Sequence, residues 1–182
     1  MNTREQLNIF VLDTDINLAA RYHNDRHIVK GILEAVQMMS TAHVELDGAN
    51  VAFKRVPDVH RSTNILHPCS VWARSSSEAY DWLYLLLGAL LEEHRLRFGR
   101  EHPFALRGAR RPSLYAQLSA RPANVPKVAR PPFALAMPIA YRRPDPVEAY
   151  RLYYTHEKAH LAHWSHPADV PPWWPEMLRR RA

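Results

Sequence analysis

The chain has 182 residues, 47% of them apolar, enough to bury the core of one domain, and its single cysteine, Cys69, excludes an internal disulfide framework. The formal net charge of +6 makes a polyanion a reasonable partner, although a purely solvating role is also open. The greasiest stretch, Leu83 to Leu91, is far shorter than the ~20 residues a spanning helix needs. Met1 to Leu7 is polar, so no leader is expected, and the protein is expected to be soluble and cytoplasmic with no membrane partner.

Residues 1–7 read as a mobile lead-in. Asn8 to Leu12 is one of two segments with any strand character, the other being Val51 to Val56. The first predicted helix opens at Asp15, a suitable N-cap, and runs to about Ala42, with Leu18, Tyr22, Val29, Ile32, Leu33, Val36 and Met39 supplying its buried face. His23, His27, Lys30, Glu34 and Gln37 follow one another at spacings of 4, 3, 4 and 3, which at about 100° per residue makes one polar stripe. Two imidazoles, an amine, a carboxylate and an amide in line suit a reaction centre. They suit a wet helix face as well, since the stripe falls roughly opposite the apolar positions.

Next comes Asn64 to Ser75, which sets His67, Cys69, Trp72 and Arg74 just before a helix N-terminus, where free amide groups attract phosphate. Trp72 could stack on a displaced base and Arg74 could hold a phosphate; equally, Trp72 could be core and Arg74 could pair with Glu78 or Asp81. Cys69 has no activating partner beyond His67 and is expected to be buried and inert. The second helix is predicted from a capping box at Ser75-x-x-Glu78 to a stop at Gly99.

Residues 100–144 form a connection rich in proline and arginine, with Arg107, Arg110, Arg111, Arg121, Lys127, Arg130, Arg142 and Arg143 in a stretch almost free of acids. An extended wrap is expected there. The third helix starts with Asp145-Pro146-Val147-Glu148 and should end near Trp164. It carries Tyr153, His156, His160 and His163 at spacings of 3, 4 and 3, with Glu157 beside them. His-x-x-x-His pairs on both helices could chelate a metal, but no second carboxylate–histidine unit complements Glu157 and His160, so proton transfer is the preferred role and neither a metal nor a cofactor is expected. The tail 165–182, with its tryptophans, prolines and the Arg179-Arg180-Arg181 ending, reads as a hydrophobic lid. The expected architecture is one all-α domain with three main helices and a Pro/Arg-rich wrap.

The run Asn8-Ile9-Phe10-Val11-Leu12-Asp13, the block Tyr22-His23-x-Asp25-x-His27-x-x-Lys30 with Glu34, Gln37 and Ser40-Thr41-Ala42, the block His67-Pro68-Cys69-Ser70-x-Trp72-x-Arg74, and Ala149-Tyr150-Arg151-x-Tyr153-Tyr154 with Lys158 and Trp164 resemble a family of small phage-encoded proteins of DNA base metabolism. The resemblance extends to the amino acid:DNA transferases of thymine hypermodification. More remotely, the histidine- and glutamate-bearing first helix, the His-Pro turn and the Arg95-x-Arg97-x-Gly99 ending are similar to phage pyrimidine-dimer glycosylases.

The resemblance implies DNA as partner, an amino acid or amine as co-substrate, and a host cytoplasm as setting if the chain is phage-encoded. On that footing His23, His27, Lys30, Glu34, Glu157 and His160 would be catalytic, and Asp25, Gln37, His67, Trp72, Arg74, Tyr150, Arg151, Tyr153 and Lys158 would contact substrate or DNA. The favoured activity is amine transfer to an activated 5-hydroxymethylpyrimidine. Glycosidic cleavage is the alternative, but the glycosylases use a free N-terminal amine, whereas Met1-Asn2 precedes several further residues here, leaving Lys30 as the replacement amine. A non-enzymatic basic protein that coats DNA or blocks a host enzyme is the third reading.

Overall fold

The computed structural model describes residues 7–166 and 169–176; the first six residues of the expected lead-in and the Arg179–Arg181 ending lie outside them. The described residues are all-helical, with no strand. In chain order the helices are α1 (Ile16–Arg21), α2 (Asp25–Asp47), α3 (Ala49–Arg55), α4 (Pro68–Ala73), α5 (Ser77–Phe98), α6 (Leu114–Gln117) and α7 (Pro146–Glu157), with short 3-10 turns at Ile139–Tyr141 and Ala159–Leu161.

The single long first helix expected from the apolar periodicity is two helices. Asp15 caps α1 by accepting from the amides of Asn17 and Leu18, but the helix stops at Arg21 because Asn24 adopts an extended backbone and caps α2 through the amide of His27. The periodicity runs through the break, and the local cap overrides it. On α2 the apolar positions divide differently from expectation. Ile28, Ile32, Ala35, Val36 and Met39 are buried, whereas Val29 and Leu33 remain 46% and 42% exposed and Leu18 on α1 is also exposed.

Helix α5 lies against both α1 and α2 and supplies Leu83, Leu86, Leu87 and Leu90 to the same core. Its true N-cap is Ser76, which accepts from the amide of Ala79, while the Ser75 hydroxyl donates back to the Trp72 carbonyl. Gly99 ends it in the left-handed conformation, φ 66°, as a C-cap glycine should. The third expected helix begins as predicted, at Asp145 and Pro146, but α7 ends at Glu157 rather than near Trp164.

Neither strand-like segment is a strand. Residues 51–55 belong to α3, and residues 7–12 run extended through the interior with every side chain buried. A segment covered on both sides needs no alternation, which is why residues 7–12 read as a continuous apolar run.

The connection 100–144 is largely irregular and is anchored by acceptors from the helices. Asp47 accepts from the amides of Ala123 and Asn124, Glu78 accepts from the amide of Arg130, and Asp81 pairs with Arg121. At the opposite end Arg97, 1% exposed, donates to the Arg21 and His23 carbonyls and pairs with Asp25, Glu93 and Asp169. It ties α5 to the α1–α2 corner and to the C-terminal segment, where Trp164 and Trp174 pack edge-on to one another and Trp174 meets Tyr154.

Candidate active site

The polar stripe begins at His23, in the turn before α2, and continues down α2 facing inward, and its two halves meet different surroundings. In the first half, His23 donates from Nδ1 to the Ala19 carbonyl at 2.7 Å and is closed off from solvent. His27 stacks on Phe10 at 4.8 Å between ring centroids, and its Nδ1 lies 2.7 Å from the Tyr154 hydroxyl. That hydroxyl also accepts from the Asn24 amide. Burial pulls the His23 pKa down to about 4, and burial together with the positive charges of His23, Lys30 and Lys158 pulls that of His27 to about 2. Both rings are neutral aromatic core at neutral pH. The structure places both expected proton carriers as buried rings among Phe10 and Tyr154, outside the lining of the cavity that Glu34 and Gln37 border.

In the second half Glu34 and Gln37 border a cavity of about 830 Å³, whereas Lys30 lines a separate surface pocket with Leu33, His102 and Phe104. Lys30 Nζ lies 3.3 Å from Glu34 Oε1, with the two side chains 20% and 8% exposed. The other carboxylate oxygen of Glu34 accepts from the Asn8 amide at 3.2 Å. Asn8 is itself clamped, donating from Nδ2 to the Ala136 carbonyl and accepting at Oδ1 from the Tyr150 hydroxyl and the Ile9 amide, each at 2.9 Å. The extended segment 7–12 therefore serves the site by delivering one backbone donor to Glu34.

Glu34 and Gln37 form one wall of the cavity; Asn64 and His67 border it from the turn before α4, and Met137 and Arg142 from the end of the connection. His67 caps α4, its Nδ1 accepting from the Cys69 amide at 3.2 Å, which leaves Nε2 to carry the proton of the neutral ring. Burial lowers its pKa from the usual value. Arg142 is exposed, with Nε donating to the Met137 carbonyl.

Several expected site residues lie elsewhere. Glu157 and His160 are exposed on and just beyond α7, apart from the α2 stripe, and Glu157 accepts from the Tyr141 hydroxyl. His156 is exposed too, and among the described residues no three His, Cys, Asp or Glu side chains are grouped to hold a metal. Asp25 is structural. Burial opposes its ionisation, but hydrogen bonds from Ser165, Arg97 and His163 outweigh that and hold its carboxyl below the usual range.

Trp72 is no stacking platform, since it is buried against Phe133 at 5.1 Å and its indole donates to the Pro131 carbonyl. Arg74 terminates α4 with Nη1 buried and lacking a hydrogen-bond partner; Glu78 and Asp81 serve Arg130 and Arg121 instead. Arg151 pairs with Asp13 at 2.7 Å and donates to the Leu12 carbonyl. Tyr150 is buried, supporting Asn8, and Lys158 lies over the Tyr153 ring. Cys69 is enclosed, its thiol pushed up to about 12 by burial.

Sequence reasoning missed Asn8, Asn64 and Arg142. Asn8 had one available signal: it is the lone polar residue in the otherwise apolar run 7–12. Comparison with family models, curated proteins and solved structures returned no match.

Proposed function

We propose that this protein modifies a pyrimidine base turned out of DNA, by transferring an amino acid or other amine to an activated 5-hydroxymethyl group. The observation that carries the reading is the largely buried Glu34 carboxylate, paired with Lys30 behind it, on the wall of a cavity whose other polar groups are Gln37, Asn64, His67 and Arg142 and which has room for a base and a second substrate. Exposed Arg107, Arg110, Lys127 and Arg130 supply a basic exterior for the phosphate backbone, whereas Arg111 and Arg121 are engaged with Asp58 and Asp81.

The residues take the following roles. Gln37 and Asn64 offer amide donors and acceptors to the edge of the extruded base. Glu34 takes a proton from the incoming amine, whose nitrogen then forms a bond to the 5-methylene carbon. The bond from that carbon to the diphosphate oxygen breaks, and its electron pair leaves with the diphosphate. Arg142 stabilises the departing charge, Lys30 holds the Glu34 carboxylate in place from outside the cavity lining, and His67 Nε2 donates a hydrogen bond to the leaving group or to the base. Imine formation needs a free amine facing the base, whereas Lys30 is held against Glu34 and is not part of the cavity lining, and this favours transfer over glycosidic cleavage.

The test is to incubate the protein with DNA carrying phosphorylated 5-hydroxymethyluracil and a mixture of amino acids, then digest and weigh the nucleosides. A nucleoside heavier by an attached amino acid is expected. Failure to form one, with folded protein that binds the DNA, overturns the reading. An abasic product with a borohydride-trapped adduct at Lys30 would replace it with excision.

A further inference from the structure

Two aliphatic side chains stand out on the surface. Leu66 is 87% exposed and Ile139 is 83% exposed, the two highest values among the large hydrophobic residues described. Single exposed aliphatics are ordinary on proteins. These two are singled out by their neighbours, for Leu66 lies between Asn64 and His67 and Ile139 directly follows Pro138, all of which border the Glu34 cavity. They come from two of the chain segments that line it, the turn before α4 and the end of the connection.

Both are held on rigid supports. The turn carrying Leu66 is closed by the His67 amide donating to the Asn64 carbonyl at 2.9 Å, and Asn64 has φ 50°, the only positive value at a non-glycine position among the described residues. Just before it, Thr63 is bonded to Thr41 of α2 in both directions, amide to hydroxyl and hydroxyl to carbonyl. Ile139 opens the 3-10 turn Ile139–Tyr141, where its carbonyl accepts from the Arg142 amide, and Pro138 restricts the backbone ahead of it. Arg142, at the same rim, is a cation that can meet a phosphate.

We propose that Leu66 and Ile139 are wedge residues that enter the base stack of duplex DNA and fill the space left by the base taken into the cavity. This rests on the reading of the cavity as a base pocket. Turning a base out leaves its neighbours unstacked, and an aliphatic side chain placed in the gap lowers that penalty while losing its own contact with water. The occupant is thus a duplex containing the target pyrimidine, not a free nucleotide, which has no stack to fill.

The experiment uses duplex DNA with the fluorescent base 2-aminopurine beside the target pyrimidine, whose emission rises when the target leaves the stack. Wild-type protein should raise it, and the double variant Leu66→Ser with Ile139→Ser should cut that rise by about tenfold, the scale of losing contacts made only to an opened stack. The double variant should bind single-stranded DNA as well as wild type and melt at the same temperature. Leu96→Ser, at a 61% exposed position on α5, is the comparison and should change nothing.

If wild type opens the duplex and the double variant opens it equally, or if single-strand binding falls in parallel, the wedge assignment is wrong and the base-pocket reading stands. Product formation on single strands without duplex opening likewise removes the wedge and leaves the pocket. Neither opening nor product from wild type removes both.

Discussion

The two halves of the polar stripe, which starts at His23 in the turn before α2 and continues down α2, carry similar polar side chains and have opposite fates. His23 and His27 are roofed by Phe10 and Tyr154 and serve as neutral core, whereas Glu34, with Lys30 behind it, and Gln37 border the gap between the turn before α4 and the end of the proline-rich connection. Polar residue type and spacing therefore mark a face with a special task without saying which task. The chain packed over each residue decides whether an imidazole is enclosed among aromatic rings or a carboxylate borders a cavity.

That contrast is most sharply tested at its open end. Glu34→Gln should lower turnover by roughly 10²–10⁴-fold, the usual contribution of a general base, while DNA binding persists. Mass spectrometry of the modified nucleoside gives the rate, and equal activity would reassign the cavity. Next in size is Arg97→Met, at the corner where α1 turns into α2. Leaving Asp25, Glu93 and Asp169 without their buried cation should cost about 3–5 kcal/mol, read as a loss of urea midpoint.

The closed half predicts a pH dependence. The folded-state values of about 4 for His23 and about 2 for His27 lie below that of an unfolded histidine, so on acidification the unfolded chain takes up protons first. The contribution is complete above roughly pH 6.5, where an unfolded histidine titrates, and is lost progressively as pH falls toward 4. His23 alone should account for a loss on the order of 3 kcal/mol across that window, at 1.36 kcal/mol per pKa unit. Urea titrations at several pH values measure it, and His23→Gln should flatten the slope. The smallest effect belongs to α7's exposed flank: His160→Ala should leave stability within about 0.5 kcal/mol of wild type and turnover unchanged. A large loss there would return the second histidine helix to the site.

Much of the fold is legible in the order of residues. The caps at Asp15, Asp145 and Gly99 act locally, through one side chain or one dihedral angle, so a few neighbouring residues reveal them. The break at Asn24 is legible in principle, since Asn-Asp is a start signal, but the apolar period running across it masks the cap. Val29 and Leu33 belong in the core on period alone, and nothing local distinguishes them from Ile28 and Ile32, whose partners come from α5 some 50 residues on.

Helical class, one domain's worth of core, the inert cysteine and the alignment of the α2 stripe follow from the order of side chains alone, because each depends on composition or on spacing within a few turns of helix. Which histidines are buried, which carboxylate meets an amine beside a cavity, and which aliphatics are left exposed next to residues that border it were decided by tertiary structure. Those properties depend on Asn8, Asn64, Tyr154 and Arg142, brought from four separate parts of the chain, and desolvation acts only once they have met.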